Sequence, residues 1–262
     1  MQKPNQNIIE TSLIDWRNDP ASSQLSKLQP YSVLFQDVYY SSDNGLLETD
    51  YVFLQGNQLS SRWQQLENTT FTIIETGFGT ALNFLSAAQL WLRFAPKEAV
   101  LHFISTEKYP LKPQEMAKAL QAWPELTKLS AQFLEQYQQS DQTEAQETFA
   151  LFDNRVKLTL LYGDATASLA TTEFVADAWF LDGFSPAKNP DMWQTALFTE
   201  MARLSKTGTT FATFTSAGVV KRGLQATGFT VHKRSGFGKK REMLIGVFKS
   251  TYQQESLSGK HQ

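Results

Sequence analysis

Along the 262-residue chain, apolar positions follow two alternating rhythms. Short runs rich in Val, Ile, Leu and Phe predict core strands at residues 71–76, 100–107, 156–162, 176–181 and 209–215, and two later strands at 229–233 and 243–248. Between them, apolar positions three and four apart predict helices over about 80–94, over 113–137 with a break at Trp123-Pro124, over 192–204, and from Ser216 to near Gly228. Such alternation predicts an α/β fold, a doubly wound and mostly parallel sheet with helices on both faces. The last two strands are separated by residues 234–241, too few for the crossover of a parallel pair, so the final strand is expected to be antiparallel.

Upstream the pattern is weaker. Residues 1–30 show no sustained period and read as an extended lead-in. Residues 35–40 and 50–55 are β-prone, and the joining Ser41-Ser42-Asp43-Asn44-Gly45 suits left-handed turn conformations, which predicts an antiparallel hairpin. That hairpin either covers a sheet edge or brings Asp37, Tyr39, Tyr40 and Asp43 to a substrate pocket. A short helix is expected at 62–66 and a polar loop at 140–147. The expected organisation is an N-terminal extension over 1–66 packed on a catalytic domain of residues 67–250, followed by a flexible polar tail, 251–262.

Composition narrows the chemistry. Hydrophobic residues make up 41% of the chain, enough for a sizeable core, and no apolar run is long enough to span a bilayer. The first fifteen residues have neither the basic flank nor the apolar core of a signal peptide, so a cytoplasmic protein without membrane contact is expected. The absence of cysteine excludes disulfides, thiol nucleophiles, thiolate zinc sites and cysteine-held iron–sulfur clusters. His102, His232 and His261 lack ligand-like spacing, and no metal site is expected. The net charge of −2 is uninformative, but Lys221, Arg222, Lys233, Arg234, Lys239, Lys240 and Arg241 follow one another without an intervening acid and surround Phe237. They form either a solubilising rim or a phosphate-contacting patch with a ring for base stacking.

One stretch organises the candidate chemistry. Glu75-Thr76-Gly77-Phe78-Gly79-Thr80-Ala81-Leu82-Asn83 joins a strand end, a glycine turn and a helix start, the layout of a nucleotide-cofactor site. A dinucleotide fingerprint would want a third glycine at Leu82. The spacing better fits the E-x-G-x-G-x-G turn of S-adenosylmethionine (SAM) methyltransferases, with Ala81 in place of the last glycine. Glu75, Gly77, Gly79, Thr80 and Asn83 are therefore candidate cofactor residues. Glu107 ends the next strand, where an acid either binds both ribose hydroxyls or merely faces solvent. Gly163-Asp164 ends the one after, and Asp164 either binds an adenine amino group or caps the following helix. Asp182 ends a fourth strand and enters a turn-rich run through Phe184, Pro186 and Lys188 to Pro190.

Several of these segments together resemble one family. Tyr39-Tyr40-Ser41-Ser42-Asp43-Asn44-Gly45-Leu46-Leu47-Glu48-Thr49, Tyr51-Val52-Phe53-Leu54-Gln55-Gly56-Asn57, the glycine turn, the run from Asp182-Gly183-Phe184-Ser185-Pro186 to Met192-Trp193, and Gly236-Phe237-Gly238-Lys239-Lys240-Arg241-Glu242-Met243 resemble the methyltransferase half of the MnmC family of tRNA 5-methylaminomethyl-2-thiouridine biosynthesis. The resemblance implies a class I SAM-methyltransferase fold and SAM-dependent methylation of the aminomethyl nitrogen on the wobble uridine, with the tRNA anticodon loop as partner. It further implies that the family's FAD-dependent oxidoreductase is a separate domain or protein, so that no FAD is expected in this chain. In that frame Asp182 is the expected catalytic residue, orienting the amine and taking its proton. Phe184 and Pro186 are expected to stack on the base, and the basic residues to meet phosphate.

Overall fold

The computed structural model describes residues 9–18, 28–40, 45–140 and 142–249. The expected tail and residues Asp43 and Asn44 lie outside them. The N-terminal part begins with a small antiparallel sheet of β1 (Ile14–Asn18), β2 (Leu28–Ser32) and β3 (Asp37–Val38), in the order β1-β2-β3. An N-terminal antiparallel sheet is thus present, but of the predicted pair only 35–40 contributes to it, through β3, whose partner is β2. Residues 50–55 do not pair with 35–40. They continue α1 (Gly45–Thr49) as one π-helical segment, Asp50–Leu54. The physical reason is the face that must be buried: Val52, Phe53 and Leu54 are consecutive and all buried, which helical backbone permits against a sheet and a half-buried strand does not. Asn57 then locks the segment down: its side chain donates to the carbonyls of Phe53 and Trp179 and accepts from Thr210. The predicted short helix follows as α2 (Leu59–Gln64).

The main sheet is close to expectation. It contains β4 (Thr70–Thr76), β5 (Val100–Glu107), β6 (Gln146–Leu151), β7 (Val156–Tyr162), β8 (Ala176–Leu181), β9 (Ser205–Thr213), β10 (Phe229–Ser235) and β11 (Glu242–Phe248), ordered β10-β11-β9-β8-β4-β5-β7-β6. Strands β9, β8, β4, β5 and β7 run parallel, and β11 lies antiparallel between β9 and β10. The edge strand β6 pairs antiparallel with β7 and replaces part of the expected 140–147 loop. Its polar Gln146, Glu147 and Thr148 conceal it, because an edge strand needs only one apolar face.

Both faces of the sheet are covered. Ile73, Phe103 and Phe180 point into a core shared with α3 (Leu82–Phe94), α4 (Pro113–Leu120) and α5 (Thr127–Tyr137), whereas their neighbours Ile74, Ile104 and Trp179 point to one shared with α6 (Ala165–Ala170), α7 (Thr195–Arg203) and α8 (Gly218–Ala226). The two-residue side-chain period makes this division, and it explains why these strands read as continuous apolar runs.

Strand order reverses beside β4: the chain proceeds outward through β5 and β7, then returns to place β8 on the other side. Ligands of open α/β sheets bind in the crevice at such a point, outside the carboxyl ends of the strands. Thr76 and Leu181 are in register there, so the turns that follow them face each other. Thr76 Oγ1 donates to the Asp182 carbonyl at 2.7 Å and receives the Asp182 N–H at 3.1 Å. Gly77 has a φ of +84°, and a Cβ on it would lie 3.2 Å from the Cα of Gly183. Replacing Gly77 by alanine is expected to lower stability by about 1–3 kcal/mol through backbone strain and this contact. A denaturant titration reads the loss as a fall in midpoint; an unchanged midpoint contradicts the close approach.

Candidate functional site

A cavity of about 690 Å³ opens at this switch point, within the usual size of small-molecule sites. The expected residues Gly77, Gly79, Thr80, Asn83, Glu107, Gly163, Asp164 and Asp182 line it, together with Asp37, Tyr39, Tyr40, Phe184, Lys188 and Lys240. Six acids and three lysines contribute to the wall, Glu48, Asp191 and Lys108 among them, so the site favours a cationic ligand.

The first end is built on the glycine turn. Gly77 and Phe78 donate their N–H groups to the Thr106 carbonyl, tying the turn to the tip of β5. Glu107 receives the N–H of Gly79 on one carboxylate oxygen and that of Tyr109 on the other, each at 2.8 Å. Burial pushes its carboxyl up, and these backbone donors hold it partly back. Asp164 caps α6, accepting from Thr166 and Ala167 through Oδ1, while Oδ2 lies 3.8 Å from Lys108. The helix-cap role and the position in the cavity wall therefore coexist. Ala81, at the site of the missing glycine, takes the left-handed φ of +63° that the turn requires.

The second end is organised by Asn83. Its amide nitrogen donates to Glu75 Oε1 at 2.9 Å and to Asp182 Oδ2 at 2.6 Å, and its oxygen accepts from Thr49 Oγ1 at 2.8 Å. Glu75 is wholly buried, takes a second bond from Ser105 Oγ at 2.6 Å, and does not line the cavity. It supports the site from behind, through Asn83. Burial drives the Glu75 carboxyl well above its usual range, with the nearby Asp182 charge adding to the effect. Asp182 itself is pushed up to about 6, chiefly by burial. The Gly183 N–H and the Asn83 amide counter that rise, Glu48 increases it and Lys240 lowers it.

Aromatic rings form the outer wall. Phe184 stacks on Phe35 at 4.6 Å and meets the edge of Tyr39 at 5.1 Å; Phe35 also contacts Tyr109. One face of Phe184 is thus covered by Phe35, and of the two expected stacking residues Phe184 lines the cavity and Pro186 does not. Tyr40 spends its hydroxyl on the Ala119 carbonyl and its ring on Trp123, so it is a buried anchor. Tyr39 pairs with Ser12 at 2.6 Å. The run after Asp182 folds back through turns at Ser185, Asn189 and Pro190, and Trp193, 2% exposed, pins it by donating to the Phe184 carbonyl.

The basic residues are only partly brought to the cavity. Lys240 reaches its wall; Arg222, Lys233, Arg234, Phe237, Lys239 and Arg241 do not line it. Lys233 is paired with Glu242 at 2.6 Å, Arg234 lies over the Tyr51 ring at 4.3 Å, and Phe237 packs on that ring at 5.9 Å. Phe237 is therefore half-buried packing, not an open platform, while Lys239 and Arg241 remain exposed on the hairpin beside the mouth. Sequence reasoning did not single out Glu48, Thr49, Phe35, Tyr109 or Phe214 as site residues, all of which line the cavity. Glu48 and Thr49 stood within a motif already noted, but inside a segment read as a hairpin. Among the described residues no helix is long and apolar enough to cross a membrane, and no group of three or more His, Asp or Glu side chains is placed to hold a metal ion.

Comparison with known proteins adds the family. Residues 124–249 match the family model described as S-adenosyl-L-methionine-dependent methyltransferase. The tRNA 5-methylaminomethyl-2-thiouridine biosynthesis bifunctional protein MnmC of Methylobacillus flagellatus is 54% identical over 228 residues, 87% of this chain and 35% of that protein. The same-named protein of a Marinomonas species is 45% identical over 243 residues, 93% of this chain and 35% of that protein. The solved structure of MNMC2 from Aquifex aeolicus superimposes with a TM-score of 0.68 at 21% identity, covering 90% of this chain and 71% of that one, a likeness of fold. The chain spans about a third of the length of these curated relatives. With the fold, the cavity at its switch point and this identity in agreement, the chain belongs to the MnmC family and corresponds to its methyltransferase segment.

Proposed function

We propose that this chain methylates the exocyclic amine of a 5-aminomethyl group on the wobble (2-thio)uridine of tRNA, using SAM and acting in the cytoplasm. The observation that carries the reading is an acid-lined cavity in which Asn83 presents the Asp182 carboxylate beside the glycine turn. The relatives' name, which refers to 5-methylaminomethyl-2-thiouridine in tRNA, supports the choice of substrate. The second activity of those bifunctional relatives is not assigned to this chain, and an association with a separate oxidoreductase domain or protein belongs to the same proposal.

The wall residues suit SAM by their chemistry. Glu107 would accept hydrogen bonds from the ribose hydroxyls, Asp164 from the adenine amine, and the Gly77 and Gly79 turn would lie against the ligand. SAM, when bound, supplies an electrophilic methyl group on a sulfonium leaving group. The acceptor amine is mostly protonated near neutral pH, and only its lone pair forms the new bond. In this reading the ammonium would give one proton to the Asp182 carboxylate, which frees the lone pair that takes up the methyl group. The Asn83 amide holds Asp182 in place during the transfer, so alignment does most of the work. The exposed Lys239 and Arg241 would engage the RNA backbone at the mouth.

The direct test is nucleoside mass spectrometry after incubation with SAM and aminomethyl-bearing tRNA. A gain of one methyl on the wobble uridine is expected, and its absence in active, SAM-binding protein contradicts the reading. Asp182→Ala is expected to slow single-turnover transfer about a hundredfold or more while SAM affinity stays near wild type; near-normal turnover removes Asp182 from the chemistry. Because Asp182 works as the carboxylate and its pKa is raised to about 6, the single-turnover rate should rise with pH through about 6. A profile flat from pH 5 to 7, roughly a unit either side of that value, would contradict the role. Binding of tRNA is expected to weaken steeply as salt increases, and a flat salt dependence rules out the phosphate contacts.

A further inference from the structure

Lys240 is the single member of the basic hairpin that reaches the cavity wall, and its ammonium is held at 2.7 Å by Glu48 Oε1 and lies 4.5 Å above the Phe214 ring. Glu48 is the last-but-one residue of α1, and the next residue, Thr49, bonds the same Asn83 amide that holds Asp182. Both carboxylates line the cavity, and the Glu48 charge is near enough to act on Asp182. The Glu48 side chain is 25% exposed and Lys240 is 47% exposed. A pair so hydrated is held weakly enough to exchange partners.

We propose that Glu48 is a specificity-determining residue that receives the acceptor's ammonium, and that Lys240 occupies this position until the acceptor displaces it. This rests on the amine-acceptor reading above and names the group that selects the amine. A primary ammonium carries three N–H donors, enough to engage Glu48 and Asp182 together. A neutral alcohol of the same shape brings one donor and no charge, and gains little from two carboxylates. Displaced Lys240 retains the Phe214 face and solvent, and a phosphate of the incoming strand is a better partner for it than for the ammonium deep in the cavity. The basic hairpin and α1 are thereby linked: docking of the polyanion draws Lys240 outward and uncovers Glu48.

The test uses two nucleosides without phosphate, 5-aminomethyluridine and its 5-hydroxymethyl counterpart, with binding measured by calorimetry in the presence of S-adenosylhomocysteine. Wild type should prefer the amine by about tenfold or more, the scale of one added charge-assisted contact. Glu48→Gln should cut that preference about fivefold or more while S-adenosylhomocysteine affinity, which reports the fold, stays unchanged. Lys240→Ala should tighten the amine about threefold by removing the competing cation and leave the alcohol unaffected. An unchanged preference in Glu48→Gln, or amine binding weakened by Lys240→Ala, overturns the proposal. Wild-type turnover of aminomethyl-bearing tRNA, followed in parallel, separates the two readings: methylation with an unaltered preference in Glu48→Gln defeats this inference alone, and no methylation by wild type defeats the proposed function.

Discussion

Two carboxylates are brought together in the interior by a single amide, and the site depends on that arrangement. Burying a carboxylate is costly unless its oxygens are bonded, and two of them near each other repel. Asn83 relieves the conflict with its two N–H donors, one for Glu75 and one for Asp182, while its oxygen is saturated by Thr49. The amide on the first turn of α3 thus locks the tips of β4 and β8 to the helical segment that precedes them. Glu75, held also by Ser105 and driven toward its neutral form, serves as the inner support of this bridge. Asp182 is its outer end, raised toward the range where a carboxylate is a useful proton acceptor near neutrality.

From that anchor the cavity divides into two ends. On one side lie the glycine turn, Glu107 and Asp164, polar groups spread along consecutive strand tips as a nucleoside ligand requires. On the other lie Glu48, Lys240 and the ring wall of Phe35, Tyr39 and Phe184. Gly77 and Gly183 meet backbone to backbone between them, so the two ends approach as closely as the chain allows. The antiparallel β10–β11 pair carries the basic hairpin to the mouth, which is where a large polyanion would first make contact.

Much of this was legible in the sequence because it obeys a period or a composition rule. Core strands buried on both faces are continuous apolar runs, the glycine turn follows one of them, and a loop of eight residues forces an antiparallel closing pair. The failures share a different cause. Tyr51-Val52-Phe53-Leu54 reads as a strand, but tertiary burial of its apolar face makes it helical. Glu75 and Asp182 look alike as acids at strand ends, and only packing tells that one is sealed inside and the other faces the cavity. Asn83 lines the cavity as expected, but its bridge between residues 75 and 182 could not be recognised from positions distant in the chain. Glu48 was hidden by the misread segment around it.

The central claim is that Asn83 acts through Asp182. A double-mutant cycle on the single-turnover methyl-transfer rate isolates that coupling, since non-additivity marks groups that work as a unit. Asn83→Ala should slow transfer about tenfold or more in the wild-type background and have almost no further effect once Asp182 is alanine. Full additivity of the two losses would contradict the account.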